Sequence, residues 1–280
     1  MMFDAGWLSD TAPETRHLPR ARGEIRVSVK ADPPASRLAT LRQSGSAKGL
    51  LPRLPGRPDE VEAVLINTAG GITGGDRFSY AAEVAPGAAL TVTTQAAERI
   101  YRSAGGVGRL EARLTLGKGG RLDWLPQETI LFDHAALERR LEVDMAAYAT
   151  LLVLEAVILG RAAMGETVAA GHLSDQWRIR RDGRLVHAEA LRLSGPVAEI
   201  AARPGCWGGA GAAATLLYVA PDAADRLAPL RACLPQTAGA SAWEGKLVAR
   251  ILAPSAQSLR TTLTAALAVF RPHLPAVWSS

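Results

Sequence analysis

The chain has 280 residues, enough for one large domain or two small ones, and only 5% of them are aromatic, so its core must rest on Leu, Val, Ile and Ala. Its two cysteines, Cys206 and Cys233, fit no metal-ligand spacing and suit a reduced cytoplasmic protein. The net charge of +5 is gathered early, at Arg16, Arg20, Arg22, Arg26, Lys30, Arg37, Arg42, Lys48, Arg53 and Arg57. No aromatic interleaves that strip, which argues against stacking on single-stranded nucleic acid. It leaves a solvated basic face or an acidic protein partner.

In chain order, the opening MMFDAGWLSD carries acids and no apolar run, so no signal peptide is expected. Residues 60–195 are dominated by period-2 alternation. Val61, Ala63 and Leu65 run into the glycine loop 67–78, NTAGGITGGDRF. Glycine is the default residue where the backbone needs φ > 0 or a close approach. The loop is no phosphate cradle: a Walker motif needs Lys and Ser or Thr after its last glycine, and here Asp76 and Arg77 follow. Pro86-Gly87 and Gly117–Gly120 mark turns, and Leu110, Ala112, Leu114 and Leu116 alternate with polar residues between them. Leu122 and Trp124 begin another strand, and Leu141, Val143 and Met145 alternate again. The apolar stretch from Ala146 to Gly160 is broken by Glu155 and is too short to span a membrane. Asp182-Gly183 predicts a hairpin with a type I′ turn.

The last third changes character. Segment 203–214 is a linker candidate, dividing a β-rich unit, 1–202, from a β-α-β-α segment, 203–280, packed on it. A strand is expected from Thr215 to Ala220, then a helix over 222–233 with Asp222 as N-cap, then a strand from Lys246 to Ala253. Ser255 caps a final helix whose apolar face is Leu259, Leu263, Leu267 and Phe270. Many short strands at regular turn spacing predict a mainly β fold, as sandwich, barrel or solenoid, with two helices in the C-terminal third.

Four blocks stand in order along the chain: GGITGGDRF, then TTQAAERIYRS at 93–103, WLPQETILFD at 124–133 and GRAAMGE at 160–166. Together they resemble the urease accessory protein D family, over about Arg22 to Trp278. Two departures from its pattern stand out. Thr68 and Ala69 stand where many members have prolines, and Ala276 replaces an arginine between Pro275 and Trp278. The resemblance implies a β-helix-like stack of strands. It also implies a non-enzymatic urease maturation scaffold in the cytoplasm that binds urease apoprotein and the accessory F protein and, through F, the GTPase G protein. Ni(II) would be transient cargo with no permanent cofactor, and neither nucleic acid nor membrane is an expected partner.

The residues themselves offer no GxSxG and no HExxH, and the five histidines are widely spaced. Glu128 lies in an apolar block, Glu166 follows Met164-Gly165, and His187 and Glu189 share one strand face with Leu185, Leu191 and Leu193. Such polar groups need internal partners or water. With Asp76 they form the candidate metal set: Asp76, Glu128, Glu166, His187 and Glu189. Carboxylate, imidazole and water suit a labile divalent cation, and the resemblance makes that cation nickel in transit. Glu128, Glu166, His187 and Glu189 are expected to line one connected cavity. The final helix face, Leu259, Leu263, Leu267 and Phe270, is the candidate partner surface. The alternative from another class is a carboxylate-dependent β-solenoid enzyme using Asp76 and Glu128.

Overall fold

A computed structural model describes residues 19–54, 60–161 and 164–278. The chain enters as a hairpin, β1 (Arg22–Asp32) and β2 (Ala35–Gly45), then crosses to β3 (Ala47–Leu50) and β4 (Glu62–Asn67). From there it winds in coils, each laying one strand in each of two facing sheets. The first coil is β5 (Arg77–Val84), β6 (Ala89–Thr94) and the short β7 (Glu98–Ile100). The second is β8 (Gly108–Leu116), β9 (Arg121–Leu125) and β10 (Thr129–Leu131). The third is β11 (Ala136–Met145) and β12 (Thr150–Leu159), followed by β13 (Gly171–Arg181). Then β14 (Arg184–Gly195) turns back, and the chain closes with α1 (Val197–Ala202), β15 (Ala212–Val219), α2 (Leu227–Cys233), β16 (Ala238–Trp243), β17 (Lys246–Ala253) and α3 (Ala256–Ala268).

The first sheet runs β14-β13-β11-β8-β5-β1-β2, and the second runs β16-β17-β15-β12-β9-β6-β4-β3. Coil neighbours pair in parallel, as Arg77 with Arg109 and Arg121 with Thr150. This is the β-helix-like stack that the sequence resemblance implied. Alternation decides the faces: β11 buries Leu137, Leu141, Val143 and Met145 between the sheets and sends Arg140, Glu142 and Asp144 to solvent. The β12 strand is apolar on both sides because its second face is covered by the C-terminal segment. The turn at Asp182-Gly183 has φ of 50° and 78°, which is the expected type I′ geometry.

The blocks that carry the resemblance are successive corners from the second sheet to the first. Ile72, Ile100, Leu131 and Leu159 stand in lateral register and form an inward column, each rung contributed by one block or its flank. Outside it, Tyr101 packs edge-on to Phe132 at 5.1 Å, and Arg161 lies over the Phe132 ring at 4.4 Å. The column explains two glycines. A Cβ on Gly71 would sit 2.3 Å from the Tyr101 ring, and one on Gly74 would sit 2.1 Å from Ser103 Oγ.

The C-terminal third differs from expectation in detail. Among the described residues three α-helices form, because Pro196 is followed by α1, a short helix that buries only Val197 and Ala201 and leaves no periodic signal. The α2 helix starts at Leu227, since the Asp222 carboxylate is occupied by Tyr218 Oη and Arg226 Nε, both at 2.8 Å, and is not free to cap. Ser255 does cap α3, through a reciprocal pair with Ser258. Residues 203–210 make turns that bury Trp207, and Ala212 starts a strand paired along β12. Among the described residues no helix is long and apolar enough to cross a membrane.

Candidate functional site

Each of three neighbouring strands carries one charged residue into the space between the sheets. On β11 it is Arg139, at a position where alternation calls for an apolar side chain, and on β13 its lateral partner is Asp175. Facing them from β12 is Glu155. All three are at most 6% exposed. The Arg139 guanidinium donates to Asp175 at 2.7 Å, to Thr129 Oγ1 at 3.0 Å and to Glu155 in a short contact. Two tryptophans complete the set: Trp124 Nε1 donates to Glu155 at 2.9 Å, and Trp177 Nε1 donates to Asp175 at 3.2 Å. Two carboxylates thus share one guanidinium. Burial pushes the Glu155 carboxyl above its ordinary range; Arg139 pulls it down, and Asp175 adds to the rise.

A cavity of about 360 Å³ lies against this cluster, between β14 of the first sheet and β15 and β17 of the second. Its lining includes Glu155, Asp175, Glu189, Trp207, Ala213 and Arg250. The Glu189–Arg250 ion pair stands on its solvent side, with Arg250 64% exposed. Next along the inward face of β14 is His187, whose Nε2 is buried without a hydrogen bond. Burial lowers its pKa; Glu189 opposes that, and Lys246 and Arg250 reinforce it. In the other direction, Thr129 lies laterally beside Glu98. The Glu98 carboxyl accepts from Asn67 Nδ2 at 3.1 Å, and desolvation pushes its pKa up to about 7 against the help of that bond. A polar track therefore threads the stack from Glu98 through Thr129 to Arg139, Glu155 and Asp175, and ends beside Glu189.

Of the residues singled out from sequence, the structure brings only His187 and Glu189 to this track. Asp76 is buried in the glycine loop, where its two oxygens accept from Ala21 N and Thr73 N, each at 2.8 Å. Glu128 pairs with Arg260 of α3 at 3.3 Å; Arg260 also lies over the Trp278 ring, whose Nε1 donates to Leu125 O. Glu166 holds Arg161 at 2.8 Å and lines a separate depression on the outer corner. Its pKa is lowered chiefly by the Arg161 hydrogen bond. So Glu128, Glu166 and the His187–Glu189 pair occupy separate places, and the single conduit drawn through all four is not the arrangement found. Asp76 and Glu128, the pair an enzyme would have used, are each tied to structural partners on different corners. Among the described residues no three His, Cys, Asp or Glu side chains group as a metal site.

The expected partner face also has another use. Leu259, Leu263 and Leu267 are fully buried and Phe270 nearly so, packed on the outer face of the second sheet with Leu216, Leu247 and Ile251. A helix laid over the apolar outer face of β15 and β17 must bury its own stripe there. Of the early basic residues, Arg16 and Arg57 lie outside the described residues. Arg22, Arg26 and Arg42 share the outer face of the first sheet, while Lys48 belongs to the second. Sequence reasoning missed Arg139, Glu155 and Asp175 as a group. The available signal was Arg139 in phase with Leu137, Leu141, Val143 and Met145.

Comparison with known proteins follows the same lines. Residues 21–279 match the sequence model of the family described as UreD urease accessory protein. The chain is 48% identical to the urease accessory protein UreD of Xanthobacter autotrophicus, over 99% of this chain and 98% of that protein. It is 47% identical to that of Agrobacterium fabrum, over 93% and 92% respectively. For the one from a Methylobacterium species, the identity is 49%, over 93% and 96%.

Proposed function

The chain belongs to the UreD urease accessory protein family, and from that premise we propose that it is a non-enzymatic scaffold of urease maturation whose interior assists nickel delivery. In this reading it acts in the cytoplasm, where it binds urease apoprotein and the accessory F protein, and the GTPase G protein joins through F. Nickel is cargo and not a resident cofactor. The observation that supports passage is the polar track with its cavity. Buried charge is costly, yet here Glu98, Thr129, Glu155, Asp175 and Glu189 place oxygen groups at successive positions in an otherwise apolar stack. Carboxylates partly offset by Arg139 and Arg250 attract a divalent cation without enclosing it, as transfer requires.

The test fills the cavity. Ala213 lines it and packs toward the core, whereas Ala190, although beside the cavity, lies in register with the exposed Gln176 and directs its side chain outward. Ala213→Leu is expected to cut nickel incorporation into urease while co-purification with F protein and urease is retained; Ala190→Leu is expected to leave incorporation near the wild-type level. Equal incorporation in both variants would refute the passage. Failure of the wild-type chain to hold urease or F protein would refute the scaffold.

A further inference from the structure

The outer face of the second sheet is covered by α2 and α3, but no described helix lies across the outer face of the first. On that open face one lateral row reads Arg22, Arg77, Arg109, Glu138, on the adjacent strands β1, β5, β8 and β11. The three arginines are exposed. Arg109 pairs with Glu138 at 3.0 Å, while no described carboxylate forms an ion pair with Arg22 or Arg77. Arg20 stands alongside the row, two residues before Arg22, with its side chain beside Gly75. Adjacent strands are about 4.8 Å apart, and like charges directly opposite one another across a pair destabilise it. The row also borders a shallow depression of about 480 Å³ that includes Ser44 and Ser79. The next row, Glu24–Ser79–Glu111, is acidic, with Glu111 held by Arg113 at 2.9 Å.

We propose that the Arg22–Arg77–Arg109 row is a docking strip for an acidic helix of a partner protein, laid across the strands. The spacing selects the helix. Acidic side chains one turn apart recur every ~5.4 Å, so three of them meet three arginines about 4.8 Å apart with a mismatch of ~1 Å, within reach of flexible side chains. Same-face side chains of an extended strand recur about every 6.7 Å and fall out of step by ~4 Å over the same row. A sheet face offers side chains and not backbone, so strand addition is unavailable there. The acidic row alongside sets orientation, because a helix rolled by one row would set its acids against Glu24 and Glu111. The strip involves none of the polar-track residues, so it stands apart from nickel passage.

The test uses the full chain and a helical peptide with glutamates one turn apart along a single stripe. An isomer with the same composition but scattered glutamates is the control. Fluorescence anisotropy is expected to show the striped peptide binding about tenfold tighter than the isomer at low salt. Arg22→Glu/Arg77→Glu should remove that preference, and Arg22→Gln/Arg77→Gln should reduce it, with no fall in melting temperature for the Gln pair, which relieves the like-charge contact. Equal binding of the two peptides overturns the proposal, as does indifference of the folded variants. A DNA duplex that binds as tightly as the striped peptide and weakens in parallel would mark the face as a general polyanion surface and also overturn it. Loss of urease or F protein retention in the wild-type chain, with peptide binding intact, would count against the scaffold function and not against the strip.

Discussion

Replacing Arg139 by Met tests whether the polar cluster is held by its one guanidinium. The substitution keeps most of the side-chain bulk but removes the hydrogen bonds to Glu155, Thr129 and Asp175. Two carboxyls, each at most 6% exposed, are then left without a countercharge. Breaking a buried ion pair from one side costs about 3–5 kcal/mol, a large part of a typical ~5–15 kcal/mol total. For a chain of this size that is a fall of about 10 °C in melting temperature. The pH dependence fixes the cause. Burial already raises the Glu155 carboxyl, and without Arg139 it loses the group that pulls it down, so the folded variant binds a proton more readily than the wild type. The loss is therefore larger at pH 8 than at pH 5, where the Glu155 carboxyl is protonated in both proteins. Thermal scanning of the wild type and variant at both pH values decides it. A shift under about 2 °C at pH 8, or a larger loss at pH 5 than at pH 8, would refute the reasoning.

Three further outcomes are expected. Asp76→Asn should destabilise the glycine loop by about 1–3 kcal/mol, because both Asp76 oxygens accept backbone amides and an Asn turns one acceptor into a donor facing an N–H; chemical denaturation checks it. Glu98→Gln should stabilise the chain by about 1–3 kcal/mol at pH 8 and little at pH 5. The raised pKa of about 7 makes the wild-type carboxyl a cost that is absent below its unfolded value and complete above 7; melting temperatures across that window check the sign. Leu263→Ala should lower stability by about 2–5 kcal/mol, since the side chain is fully buried, and partner binding measured below the melting temperature should hold.

The elements were legible where one strand carries its own pattern. The alternation of β8 and β11, the Asp182-Gly183 turn and the Ser255 cap each depend on residues close in sequence, and each formed as expected. The site was not legible, because it depends on register between coils. Arg139, Glu155 and Asp175 are single exceptions in three separate strands, and only the lateral pairing of β11 with β13 and the facing of β12 bring them together. Glu128 and Glu166 carried the same local signal, a carboxyl among apolar neighbours, yet their partners are Arg260 and Arg161. A buried carboxylate signals a partner; sequence spacing does not say which one.

The four blocks that carry the family resemblance have a physical reason to stand out. In a stack of coils the strands need only alternation, which many sequences satisfy. The corners need particular side chains, because each one packs on the corner of the next coil. Gly71 must lack a Cβ for the Tyr101 ring to lie over it, Tyr101 must meet Phe132, and Phe132 must carry Arg161, which Glu166 then fixes. Inside the same corners the chain turns the Glu98 and Thr129 side chains inward, so the contacts that stack the coils also align the start of the polar track. In this family member, the segments most recognisable in sequence build the corners beside the buried polar groups, and the charged residues beside the cavity stand on the less distinctive strands between them.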